Sequence, residues 1–170
     1  MNVSIMTFPG PMYAKSGQAV QVNLSNEVVL SADDQGATEF MLVGCRAWDT
    51  VSEALHPRCF SLVEADRPGW YVRHIAFFLK VDSESSPSNP ANFDKDSSFI
   101  LHSDTFYPGY YALESLNYPN YYVQSFVDGR LGIAERTNTT QNNDTASFMI
   151  ADYSISGNSL FLCFKHLVRL

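Results

Sequence analysis

Short apolar stretches, each broken by polar residues or by Gly and Pro, run through most of this chain, and no long segment carries the period of a helix. Three of the stretches are alike: Glu39-Phe40-Met41-Leu42, Ser98-Phe99-Ile100-Leu101 and Ser147-Phe148-Met149-Ile150. Each follows a proline beside aromatic residues, in Phe8-Pro9 with Tyr13, Pro68-Gly69-Trp70-Tyr71, and Tyr118-Pro119-Asn120-Tyr121-Tyr122. The steps from Pro9 to Phe40, Pro68 to Phe99 and Pro119 to Phe148 are 31, 31 and 29 residues. A supersecondary unit that recurs in this way cannot bury its own apolar face, so the copies must pack together.

Each unit reads as four short strands. In the second they fall at 59–65, 70–74, 77–81 and 98–101, and in the third at 111–116, 121–126, 131–135 and 147–151. Asp128-Gly129 is a strong hairpin-turn signal. The first unit is the least regular, and its third strand is either 20–24, which alternates with period two, or 28–30. Residues 82–94 and 137–144 read as polar loops at equivalent places, and 49–55 as one helical turn at most. The expected architecture is therefore all-β, a single β-trefoil over 1–170 with pseudo-three-fold symmetry and repeats at about 3–44, 59–104 and 110–153. A propeller typically needs at least four blades. The step from Phe99 to Leu113 reappears from Phe148 to Leu162, which predicts an extra strand at about 159–168. That strand would either close a barrel edge or begin the next part of a longer chain.

Composition narrows the function. With 45% hydrophobic residues in 170, the chain can build one sizeable core, and 12 Phe with 9 Tyr favour strands. No run of about 18 apolar residues is present, so no transmembrane segment is expected. Residues 1–5 lack the basic region and apolar core of a signal peptide. The net charge is −7 and the 11 Lys and Arg form no cluster, which disfavours nucleic acid and anionic membranes as partners. The three cysteines have no metal-ligand spacing; Cys45 and Cys59 flank the loop between the first two units and could close it as a disulfide. N-glycosylation sequons stand at Asn2, Asn23, Asn138 and Asn143. Together these point to a secreted or cell-surface glycoprotein, with a cytoplasmic location as the alternative.

The segment Glu114-Ser115-Leu116-Asn117-Tyr118-Pro119-Asn120-Tyr121-Tyr122-Val123 resembles a hairpin of AbfB-type domains, as do Arg67-Pro68-Gly69-Trp70-Tyr71-Val72-Arg73-His74 and Lys95-Asp96-Ser97-Ser98-Phe99. Those domains are β-trefoil carbohydrate-binding modules (family 42) attached to α-L-arabinofuranosidases. The resemblance spans roughly residues 3–153 and is strongest from Cys59 onward. It implies that each competent unit binds an arabinofuranose through a hairpin histidine and an aspartate just before the last strand.

Six positions after each repeat proline stand Lys15, His74 and Ser125, and three positions before each repeat phenylalanine stand Ala37, Asp96 and Thr145. Only the second unit keeps both partners; Asp144 lies one position early in the third. The candidate carbohydrate-binding residues are therefore His74 and Asp96, with Tyr71 or Trp70 against the apolar face of the sugar and Arg73 beside them. A carboxylate accepts from vicinal hydroxyls while a neutral imidazole donates or accepts. Each has a plainer reading: His74 and Asp96 as a pair tying the hairpin to the last strand, Arg73 as a solvated strand residue, and Trp70 as a structural plug. Convergence on an open polar pocket with an aromatic wall would favour binding; mutual burial would count against it. No G-x-S-x-G, H-E-x-x-H or phosphate loop occurs and the four histidines have no ligand spacing, so neither catalysis, metal nor cofactor is expected. The expected function is recognition of a glycan, furanose-containing in the family, by a non-catalytic module joined to further domains. The alternative is a trefoil with degenerate sugar sites that serves as a protein-interaction or structural module.

Overall fold

A computed structural model of the protein describes residues 10–31 and 36–150. The fold is all-β, a 12-stranded antiparallel sheet with little helix. The strands are β1 (Gly10–Ala14), β2 (Ala19–Val22), β3 (Val28–Ser31), β4 (Glu39–Gly44), β5 (Cys59–Glu64), β6 (Trp70–Ile75), β7 (Phe78–Ser83), β8 (Phe99–Ser103), β9 (Tyr111–Ser115), β10 (Tyr121–Ser125), β11 (Leu131–Glu135) and β12 (Phe148–Ile150). The ladders form a circuit. From β1 they lead to β4, β5, β8, β9 and β12, and then back to β1. The remaining six strands make the hairpins β2–β3, β6–β7 and β10–β11.

Alternation explains what the core takes from each strand. Phe40, Phe99 and Phe148, the phenylalanines of the recurring stretch, are 2%, 0% and 0% exposed. Each hairpin adds the same cross-strand pair: Val20 opposite Leu30, Val72 opposite Val81, and Val123 opposite Ile133. The phenylalanines and five of these six residues belong to one apolar cluster, and half-buried Leu30 packs against it.

The hairpins interlock through their tips. Asn26, Phe77 and Gly129 each hold positive φ, at 60°, 70° and 82°. Their carbonyls accept the backbone N–H of Val81, Ile133 and Leu30 respectively, each bond reaching from one hairpin to the next. Where β11 meets β7, Gly132 pairs with Phe78 and lies so close to the Phe77 carbonyl that a Cβ there would collide with it.

This geometry corrects the register expected for the first unit. The proline spacing set Lys15 at the hairpin position of His74, but the preceding β1 belongs to the circuit of ladders, and both candidate third strands are used, as β2 and β3. The turn that matches Gly69 and Asn120, each at positive φ before its hairpin strand, is the one at Gly17. Ser16 therefore stands where Pro68 and Pro119 do, and Pro9 does not. The first hairpin also reaches its phenylalanine sooner, because the others spend their polar loops on short helices, α1 (Phe93–Asp96) and α2 (Thr140–Thr145). The latter is capped by the Thr139 hydroxyl, which accepts from the Asn142 N–H. The helical turn expected near 49–55 is a 3-10 turn at Trp48–Thr50. The strand expected at about 159–168 lies outside the described residues, and so does Asn2.

Cys45 and Cys59 are joined, with their Cα atoms 5.3 Å apart and a separation of 14 positions in sequence. The bridge anchors a small satellite cluster with Ile100, packed by Trp48, Val51, Leu55 and Leu116. Closing a loop of this size restricts the unfolded chain, and the stabilisation is about 3 kcal/mol. Urea unfolding with and without a reductant should show a loss of that order; an unchanged midpoint would contradict it.

Candidate functional site

The second hairpin presents Arg73 and His74 next to each other on β6, and α1 brings Asp96 to both. The Asp96 carboxylate accepts from the Arg73 guanidinium at 2.7 Å through one oxygen, and its other oxygen lies 3.5 Å from His74 Nε2. A third group enters from the next segment of chain. Asn117 donates from Nδ2 to Asp96 Oδ1 at 2.7 Å, and its Oδ1 lies 2.9 Å from His74 Nε2. Facing two acceptor oxygens, Nε2 is the ring nitrogen that carries the proton. Ser115 donates to the same Asn117 oxygen at 3.0 Å.

His74 and Asp96 are 4% and 7% exposed, while Asn117 is half-buried. The opening to solvent therefore lies at Asn117 and at Tyr118, which is 40% exposed and meets the His74 ring edge-on at 5.3 Å. The structure brings together His74 and Asp96 but assigns the aromatic wall elsewhere. Trp70 packs against the core under the Arg67 guanidinium, and Tyr71 lies edge-on to Phe93 beside Arg46. Offsets within one unit do not reach Asn117, Ser115 and Tyr118, because the cluster crosses to the following unit. The Asn117-Tyr118 motif was the available signal.

Arg73 is not a solvated strand residue. Its side chain is 1% exposed and bridges Asp96 to Asp82, 3.2 Å from its guanidinium, with a further bond to the Asn89 carbonyl. Its Nε is buried without a partner. Asp82 in turn accepts from the Ser88 N–H and hydroxyl, so one cation organises the loop between β7 and α1.

A model of the "Alpha-L-arabinofuranosidase B (ABFB) domain" matches residues 24–150. The chain belongs to the AbfB family. Among curated proteins none matches it. Solved structures with a similar fold include a GH54 α-L-arabinofuranosidase soaked with a cyclic sulfate inhibitor, with TM-score 0.65 and 19% identity over 85% of this chain. Another is an arabinofuranosidase complexed with arabinofuranosyl-α-1,2-xylobiose, with TM-score 0.63 and 20% identity over 88%. This AbfB domain spans 31% of either enzyme chain.

At the matching position of the third hairpin, Gln124 accepts from Asn142 and Thr145, a neutral counterpart of the Arg73–Asp96 contact. Ser125 there pairs with Leu131 as His74 pairs with Leu79. Asp144 is held instead by Lys15 at 3.0 Å, and that bond first, with one from Tyr107, pulls its carboxyl below the usual range. In the first hairpin Val22, opposite Val28, takes the place of His74, so Lys15 is not its counterpart. Of the sequons within the described residues, Asn138 is exposed, Asn143 is half-buried in α2, and the Asn23 amide is tied to Glu27. A separate cleft of about 440 Å³, lined in part by Arg58, His102 and Tyr111, contains none of the His74 cluster. No group of three or more potential metal ligands occurs among the described residues.

Replacing Arg73 with Met would leave Asp82 and Asp96 buried without their cation. The expected loss is about 3–5 kcal/mol, read from urea unfolding; a loss below 1 kcal/mol would show that the carboxylates do not depend on it. Burial is the main cause that lowers the His74 pKa from 6.5, with Arg73 acting the same way and Asn117 and Asp96 opposing it. The unfolded chain thus takes up a proton before the folded one does, and stability owed to neutral His74 falls as pH drops below about 6.5. The slope of stability against pH between 7 and 5 should be shallower in His74→Gln than in the wild type, and equal slopes would refute this.

Proposed function

We propose that this AbfB domain is a β-trefoil carbohydrate-binding module without catalytic activity of its own. The trefoil reading is supported by the closed circuit of six strands and the three hairpins that supply matching core pairs. Family membership supports a glycan as the ligand. The arabinofuranosidase complexed with arabinofuranosyl-α-1,2-xylobiose supports an arabinofuranosyl substituent as the recognised group.

One observation carries the assignment of the site: His74, Asp96 and Asn117 converge beneath the exposed ring of Tyr118. Asp96 accepts from vicinal hydroxyls, the Asn117 amide both donates and accepts, and Tyr118 covers the apolar face of the sugar. Tyr71 and Trp70 leave the proposed contact set, and Arg73 becomes the residue that holds Asp96 in place. Units one and three lack the histidine, so binding is monovalent. A location outside the cell, as part of a larger protein, is supported by the Cys45–Cys59 bridge.

The burial of His74 and Asp96 favours a second reading, in which the pair only ties the hairpin to the last strand and the domain acts in protein interaction. A glycan screen that includes arabinofuranosyl oligosaccharides separates the two. Binding is expected for the wild type and weakened about ten- to hundredfold in Asn117→Ala and His74→Ala, the loss of one charge-assisted or buried hydrogen bond each. A folded wild type that binds no glycan would leave the second reading standing.

A further inference from the structure

The three hairpin tips make the same backbone bond with unlike residues. Asn26 and Gly129 fill two of the positive-φ positions, and these residue types suit that conformation. Phe77 fills the third at 70°, beside Ala76 at 49°, so the second hairpin turns through two non-glycine residues that both hold a left-handed backbone. A bulky aromatic is a poor choice there on backbone grounds. The core does not call for it either, because Phe77 remains 45% exposed. Backbone strain of this kind persists where the side chain has another task.

The ring's neighbours indicate that task. Phe77 meets Tyr118 edge-on at 5.4 Å and stacks on Tyr121 at 5.9 Å with 27° between planes. Tyr118 in turn touches the His74 ring. The exposed aromatic surface is therefore continuous, through Tyr118, with the polar cluster of His74, Asp96 and Asn117. We propose that Phe77 is a sugar-stacking residue: beside Tyr118, which covers the sugar held at the polar cluster, it forms a platform for the ring of an adjacent neutral sugar. The domain then recognises an oligosaccharide of at least two residues.

This rests on the carbohydrate-binding reading and extends it from one sugar to its neighbour. A sugar ring suits the surface because it pairs an apolar C–H face with hydroxyl edges, the combination that an aromatic platform beside a carboxylate and an amide can satisfy. A neutral sugar is specified because the chain carries a net charge of −7 and the cluster already contains Asp96.

The test compares wild type, Phe77→Gly and Phe77→Tyr by calorimetric titration with an arabinofuranosyl monosaccharide glycoside and with an arabinofuranosyl-substituted xylobiose. Glycine fits the tip backbone, so Phe77→Gly should unfold at the wild-type temperature or above it. Its affinity for the oligosaccharide should fall about tenfold while its affinity for the monosaccharide holds, and Phe77→Tyr should keep both. Unchanged oligosaccharide affinity in Phe77→Gly overturns the platform and leaves the His74 site standing. An equal loss for both ligands also overturns it, since Phe77 would then act by shaping the polar cluster. If the wild type binds neither ligand, the carbohydrate-binding reading falls and the platform with it.

Discussion

A two-stranded hairpin of four- to six-residue strands has an apolar face that it cannot cover alone. In this protein the cover comes from the other hairpins and from the circuit of strands around Phe40, Phe99 and Phe148. The hairpins are held to one another by a cyclic set of backbone bonds, Val81 to Asn26, Ile133 to Phe77 and Leu30 to Gly129. Two of those N–H groups belong to the core residues Val81 and Ile133 and the third to half-buried Leu30, and a buried donor left without a partner costs about 1–3 kcal/mol. The same bonds fix each tip at positive φ, where a non-glycine residue costs roughly 1–2 kcal/mol. Interlocking the core thus dictates the backbone at the surface, and only the side chains at the tips are left to vary.

Variation is confined in the same way one turn further in. Gln21, Arg73 and Gln124 occupy one hairpin position and pair across their ladders with Val29, Lys80 and Gly132. Each reaches the chain that leads into the last strand of its unit. The Gln21 amide lies against Gly36, Gln124 bonds to Asn142 and Thr145, and Arg73 binds Asp96 and Asp82. A neutral amide takes this place in two units, and in the third unit it braces through two hydrogen bonds. The ionic form in the second is no better as a brace, since a buried ion pair roughly balances its own desolvation. What it adds is a carboxylate, Asp96, held rigidly beside a histidine.

Much of this was legible in the chain. The three phenylalanines, the Asp128-Gly129 turn and the Cys45–Cys59 bridge follow from local chemistry that a linear reading detects. The register of the first unit did not, because Phe8-Pro9 imitates the spacing of a proline hairpin while Gly17 supplies the actual turn. Helices α1 and α2 are a turn or so long, and their polar residues give no apolar period. The cluster around His74 was half visible: His74 and Asp96 sit at readable offsets, but Asn117 and Tyr118 belong to the following unit. Arg73 looked like a surface residue because nothing in a strand pattern reveals that two distant carboxylates, Asp82 and Asp96, converge on it.

The burial of His74 and Asp96 bears on how such a site can work. An open carboxylate at a protein surface is already satisfied by water, and a sugar hydroxyl gains little by replacing it. Here Arg73 and Asn117 take up both oxygens of a carboxylate that is only 7% exposed. Water-excluded polar groups interact more strongly with whatever does reach them, and they are costly if they are left unmatched. Asn117 resolves the conflict between these two demands. Its amide bonds to both His74 and Asp96 and is more exposed than either, so in the proposed site a sugar hydroxyl meets Asn117 first and the Asp96 carboxylate behind it.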